Sequence, residues 1–220
     1  MTYTAPITDE PNYPSGNPAF RRADFAVHAI GLTLILIAGP ALIATTAAQH
    51  ATPVTIGAIL YVAAALASNL ASWAYHFAPW HAQRTLLRRI DHAAIYSSIS
   101  GTFTPFFLLS SAAWPKVLLW LCWGLAGTAA LHKITATQVK SRWSTASYLA
   151  LGALGLTALP YMGDLPIAVL YCILLGAVFY VVGTGFYARR AQPYRYAIWH
   201  GFVNLGAMAM FAGVWIATTI

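Results

Sequence analysis

Two histidines and one aspartate in an otherwise apolar chain are the residues best suited to chemistry. Ser68, Ser72 and His76 recur every four residues, as do Tyr196, His200 and Asn204, and four-residue spacing stacks side chains on one face of a helix. Asp91 is the acid that opens an apolar stretch with no polar buffer after it. Neutral imidazoles and a carboxylate suit zinc, and a site with three protein ligands and an open position lowers the pKa of bound water towards about 7. Blander roles compete. The histidines could simply hydrogen-bond to neighbouring helices, and Asp91 could cap its helix or pair with Arg88 or Arg89. Asp24 stands one turn before His28, which leaves His28 ambiguous, whereas His50, His81 and His132 read as solvated or interfacial residues.

The elements that position these residues must lie in lipid. Of 220 residues, 59% are hydrophobic and only 8% charged, against roughly a quarter charged in soluble domains. Apolar runs between charged or Pro/Gly breaks predict seven helical spans near 28–48, 54–76, 91–111, 115–133, 144–161, 166–187 and 196–217. The expected fold is all-α, a polytopic seven-transmembrane-helix bundle, because these runs exceed a barrel strand and lack two-residue alternation. Residues 28–220 form the membrane domain, and residues 1–27, rich in Pro, Asn, Thr and Tyr, read as a flexible cytoplasmic tail rather than a cleaved signal.

Every lysine and arginine except Lys116 then falls on the N-terminal side of the membrane. This bias places the N-terminus in the cytoplasm and the C-terminus outside, the inverse of rhodopsin-type receptors, in the plasma (inner) membrane. The net charge of +7 therefore sets topology and implies no nucleic-acid partner. Cys122 and Cys172 sit singly within spans as small buried hydrophobes. Pro105, which cannot bond the Gly101 carbonyl, predicts a kink in the third span. By this topology His76, Asp91 and His200 share one membrane level, with Ser72 and Tyr196 beside them.

Several motifs together resemble the hemolysin III family, the bacterial branch of the progestin and adipoQ receptor proteins, related to alkaline ceramidases. They are His28-Ala29-Ile30-Gly31, Ser72 to His76, Arg88-Arg89-Ile90-Asp91-His92 leading to Gly101-Thr102-Phe103-Thr104-Pro105, Trp143-Ser144-Thr145, and Ala197-Ile198-Trp199-His200. The resemblance runs from about Ala23 to the C-terminus. It implies seven helices, a cytoplasmic N-terminus and zinc held by His76 and by two histidines four apart in the last helix, with Ser72 and Asp91 as companions. Tyr196 stands where the family has the first of those two histidines, and phenol, with an ordinary pKa near 10, is a poorer ligand at neutral pH. Zinc could be held with Tyr196, by recruiting Asp91 or His28, or not at all. The function implied is a zinc-dependent hydrolase of lipid amides or esters, with Asp91 as general base and Ser72 orienting the ligand. A channel-forming or cytolytic protein and a non-catalytic receptor of membrane lipid state are the alternatives, and membrane lipids are the partners in each.

Overall fold

The computed structural model describes residues 13–135 and 141–219; the first twelve residues of the expected tail and Lys140 lie outside the described residues. Seven α-helices follow in order: α1 (Pro18–Gln49), α2 (Thr52–Phe77), α3 (Arg84–Leu109), α4 (Ala113–Thr135), α5 (Ser141–Leu156), α6 (Ile167–Ala188) and α7 (Arg195–Thr219). Single 3-10 turns at His81–Gln83 and Leu159–Tyr161 complete the described secondary structure, which contains no strand. Five helices, α1, α2, α4, α6 and α7, are long and apolar enough to cross a membrane. The chain is an integral membrane protein.

Two helices begin earlier than their apolar runs suggest. The Asn17 side chain accepts from the backbone N–H groups of Ala19 and Phe20, and Pro18 supplies a fixed φ at the first turn. Asp24 therefore lies inside α1 rather than ahead of it. α3 begins at Arg84, whose buried guanidinium donates to the Ala74, Tyr75 and Ala78 carbonyls at the end of α2. One side chain thus satisfies backbone acceptors that the helix end leaves open.

The helices follow one another around the bundle, with α7 closing against both α6 and α1. α3 occupies the middle, packing on α2, α4, α5 and α7. This position explains why its composition is less apolar than that of its neighbours: its polar groups face protein. The Ser100 hydroxyl donates to the Cys122 carbonyl, Tyr96 and Ser147 share a hydroxyl hydrogen bond, and the Trp123 indole N–H donates to Thr104. Pro105 lies within the continuous α3 helix, where the Thr104 hydroxyl bonds back to the Ser100 carbonyl. The core gathers Phe106, Phe107, Leu118, Val169, Ile173 and Val214. Outward positions carry large apolar groups, Trp120 at 78% and Ile37 at 71% exposure among them. That pattern suits a lipid solvent, where association rests on close packing instead of the hydrophobic effect.

Close packing is visible where α3 meets α2. A Cβ on Gly101 would stand 2.8 Å from the Ala64 Cβ and 3.4 Å from the Leu60 carbonyl oxygen. Gly101→Val should therefore push the two helices apart and cost about 1–3 kcal/mol, read as a lowered Tm in detergent. Gly124→Val, where a Cβ meets nothing within 4 Å, should leave Tm unchanged apart from a few tenths of a kcal/mol. Equal losses in the two variants would contradict this packing.

Candidate metal centre

The start of α1, the end of α2 and the start of α7 meet at one end of the bundle, and each brings an ionisable residue to the same point. Asp24 and His28 lie one turn apart on α1 and are buried. His76 is buried in the last turn of α2, and His200 lies one turn into α7. The imidazole centroids are close: 4.1 Å for His28–His200, 4.8 Å for His76–His200 and 5.2 Å for His28–His76.

Asp24 organises the group. Its Oδ2 accepts from His76 Nδ1 at 2.7 Å, and its Oδ1 accepts from His200 Nδ1 at 2.7 Å. A carboxylate only accepts, so both rings carry their proton on Nδ1 in this arrangement. Among the described residues their Nε2 atoms have no hydrogen-bond partner. His28 is held differently. Its Nδ1 donates to the Asp24 backbone carbonyl at 2.9 Å, with Asp24 Oδ1 at 3.3 Å, which makes Nε2 of the neutral ring the acceptor of the Ser72 hydroxyl at 3.0 Å. Asp91 is buried on α3.

One ligand atom from each of Asp24, His28, His76 and His200 lies within 4.8 Å of the others. Donors about 2.0–2.2 Å from a tetrahedral zinc stand roughly 3.3–3.6 Å apart, so small side-chain rotations bring Asp24, His76 and His200 onto one ion with a fourth position left open. The chemistry of the donors fits as well: borderline-soft zinc accepts both imidazole nitrogen and carboxylate oxygen. The protons now shared between Asp24 and two rings occupy the space that a cation would fill, so metal binding here should release protons.

The residues singled out in the sequence thus come together, in unequal roles. His76 and His200 are in the quartet. Ser72 joins it through His28, and Asp91 is buried on the neighbouring α3. Tyr196 sets its ring edge-on to His76 with centroids 5.0 Å apart and lies under the Arg195 guanidinium at 4.6 Å. Its hydroxyl makes no hydrogen bond to the quartet among the described residues. Asp24 and His28 are the donors that reading the apolar runs undervalues. The four-residue spacing of Asp24 and His28 was the available signal, and the Asn17-Pro18 helix start makes that spacing meaningful. Asn204, one turn beyond His200, fixes α7 on α1: its amide donates to the Val27 carbonyl at 2.9 Å, and a Cβ on Gly31 would lie 2.5 Å from its oxygen.

A buried ion pair of this kind should show energetic coupling. In chelator-treated protein, a double-mutant cycle of Asp24→Asn and His200→Ala should give about 1–3 kcal/mol of coupling, from unfolding in detergent. His50, at the far end of α1 on the Thr218 carbonyl, should couple to Asp24 by less than about 0.5 kcal/mol. Comparable values for the two pairs would contradict the shared carboxylate.

The chain is similar to known proteins over most of its length. The family model for haemolysin-III related proteins covers residues 22–211, which include Asp24, His28, His76 and His200. The chain is 33% identical over 191 residues to the hemolysin-3 homolog of Bacillus subtilis (strain 168), spanning 86% of this chain and 90% of that protein. It is 35% identical over 126 residues to hemolysin-3 of Bacillus cereus, spanning 56% of this chain and 57% of that one. The chain belongs to the haemolysin-III related family of membrane proteins.

Proposed function

We propose that this protein is a zinc-dependent hydrolase of lipid amides or esters, with its site at the cytoplasmic end of the bundle in the inner membrane. The observation that carries the reading is the convergence of Asp24, His28, His76 and His200 from three helices. A carboxylate and three imidazoles at membrane depth are costly unless they do something. The arginines in the first turns of α3 and in the α6–α7 connection belong to the same end, which supports a cytoplasmic N-terminus.

Asp24, His76 and His200 would hold the ion, with His28 beside them and a fourth position left open, and the ion when bound would supply a Lewis acid and lower the pKa of water towards about 7. The protein's own groups do the rest. Asp91 is buried beside Ser72 and accepts the proton of the attacking water, then returns it to the leaving amine or alcohol. Ser72, donating to His28 Nε2, keeps the ring and the carboxylate in register. Phe77 and Trp73 pack edge-on against His28 with centroids 5.0 and 6.4 Å away, and screen the site from water on the α2 side. The polar side chains of this cluster gather at one end of the bundle, which favours a site over a conducting pore.

Metal analysis of purified protein should find about one zinc per chain, falling at least tenfold in His76→Ala and His200→Ala. Asp91→Asn should keep the metal and lose about 100-fold or more of the hydrolysis of a labelled ceramide or phospholipid. No stoichiometric metal in the wild type would overturn the reading. Ion flux in liposomes without hydrolysis would favour the cytolytic activity that the name of the Bacillus cereus relative carries.

A further inference from the structure

A second feature lies on the other side of Tyr196. The segment Pro14–Asn17, the α6–α7 connection and the first residues of α7 enclose a crevice of about 390 Å³. Arg190 and Arg195 line it, and no acidic residue does so among the described residues. Neither guanidinium has a carboxylate within ion-pair distance among the described residues. Arg195 is instead held by aromatic faces, 4.9 Å from the Tyr187 centroid and 4.6 Å from that of Tyr196. Stacking fixes the plane of a guanidinium and leaves its edge donors available.

The backbone adds to this. Ile198 N–H bonds the Tyr194 carbonyl at 2.9 Å and so opens the α7 hydrogen-bond ladder. The N–H groups of Arg195, Tyr196 and Ala197 precede that bond, have no acceptor among the described residues, and belong to residues lining the crevice. Tyr194 also lines it with φ at 55°, in the left-handed region that non-glycine residues seldom occupy, and packs on Phe20 with centroids 4.4 Å apart. Two arginines, free N–H donors and a cavity without acids together fit a phosphate group.

We infer that this crevice binds the phosphate of an anionic membrane lipid. The lipid source follows from position. α6 ends at Ala188, just before the crevice, and its Val178, Val181 and Val182 are exposed below, offering an apolar face for acyl chains. Arginines at that level sit where headgroup phosphates are found. Tyr196 forms a wall of the crevice and touches His76, so the bound lipid is held beside the metal centre. The inference does not depend on the metal being present.

The test uses the full chain in nanodiscs of phosphatidylcholine with phosphatidylglycerol as a minor component, followed by native mass spectrometry of the released protein. One phosphatidylglycerol per chain should be retained in preference to phosphatidylcholine, and Arg190→Gln and Arg195→Gln should each weaken retention by about tenfold. Arg189, adjacent in sequence but outside the crevice and stacked on Phe186, provides a charge-matched control, and Arg189→Gln should behave as wild type. Should Arg195→Gln fail to fold, the exposed Arg190 still decides the matter. Equal retention of both lipids, an equal loss in Arg189→Gln, or displacement of phosphatidylglycerol by excess orthophosphate would each overturn the assignment.

Discussion

A carboxylate in an apolar medium costs several kcal/mol unless it is paired and hydrogen-bonded, and Asp24 escapes that cost through two imidazoles from two other helices. The same contacts that make Asp24 tolerable tie the start of α1 to the end of α2 and the start of α7. Helices in lipid gain no hydrophobic stabilisation from one another, so a polar knot at one end and close small-residue contacts along the length carry the association. The Asn204 amide on Val27 and the Gly31 contact continue the α1–α7 seam just below the knot. Removing the carboxylate would leave two Nδ1–H groups without an acceptor at the place where three helices meet.

The position of α3 decides what the rest of the bundle can be. Its polar residues are tolerated because protein surrounds them, and Asp91 is buried at its start. α3 therefore links structural and chemical roles. The serines and threonines that satisfy one another along its length hold the backbone that sets Asp91, while the bulky Phe106 and Phe107 fill the far end of the core. Polar chemistry collects at one end and apolar packing at the other.

Much of this was legible in the residues. Helical periodicity and the spacing of charges mark every helix to within a few residues, except at α5, which ends at Leu156 before a 3-10 turn takes up the last apolar residues, and at α1 and α3, where polar helical turns precede the apolar run. Those turns are held by local devices, the Asn17 cap and the Arg84 guanidinium on the α2 carbonyls, and hydropathy does not register such devices. His76, Asp91, His200 and Ser72 were visible as chemistry because four-residue spacing and shared membrane level survive without coordinates. Asp24 was not, since its partners are 52 and 176 residues away and no local pattern encodes a carboxylate shared by two distant rings. Tyr196 shows the converse. Its place in the family pattern suggested a ligand, and the folded chain sets its ring between the quartet and the arginine-lined crevice.

Diffraction data collected on either side of the zinc edge from crystals of the full chain would show whether α1, α2 and α7 converge to hold one metal ion. A single anomalous peak per chain is expected at the end of the bundle where α1, α2 and α7 meet, with donor atoms of Asp24, His76 and His200 about 2.0–2.2 Å away. A map with no peak there, or with the ion held elsewhere while the Asp24 carboxylate keeps both imidazole protons, would contradict it.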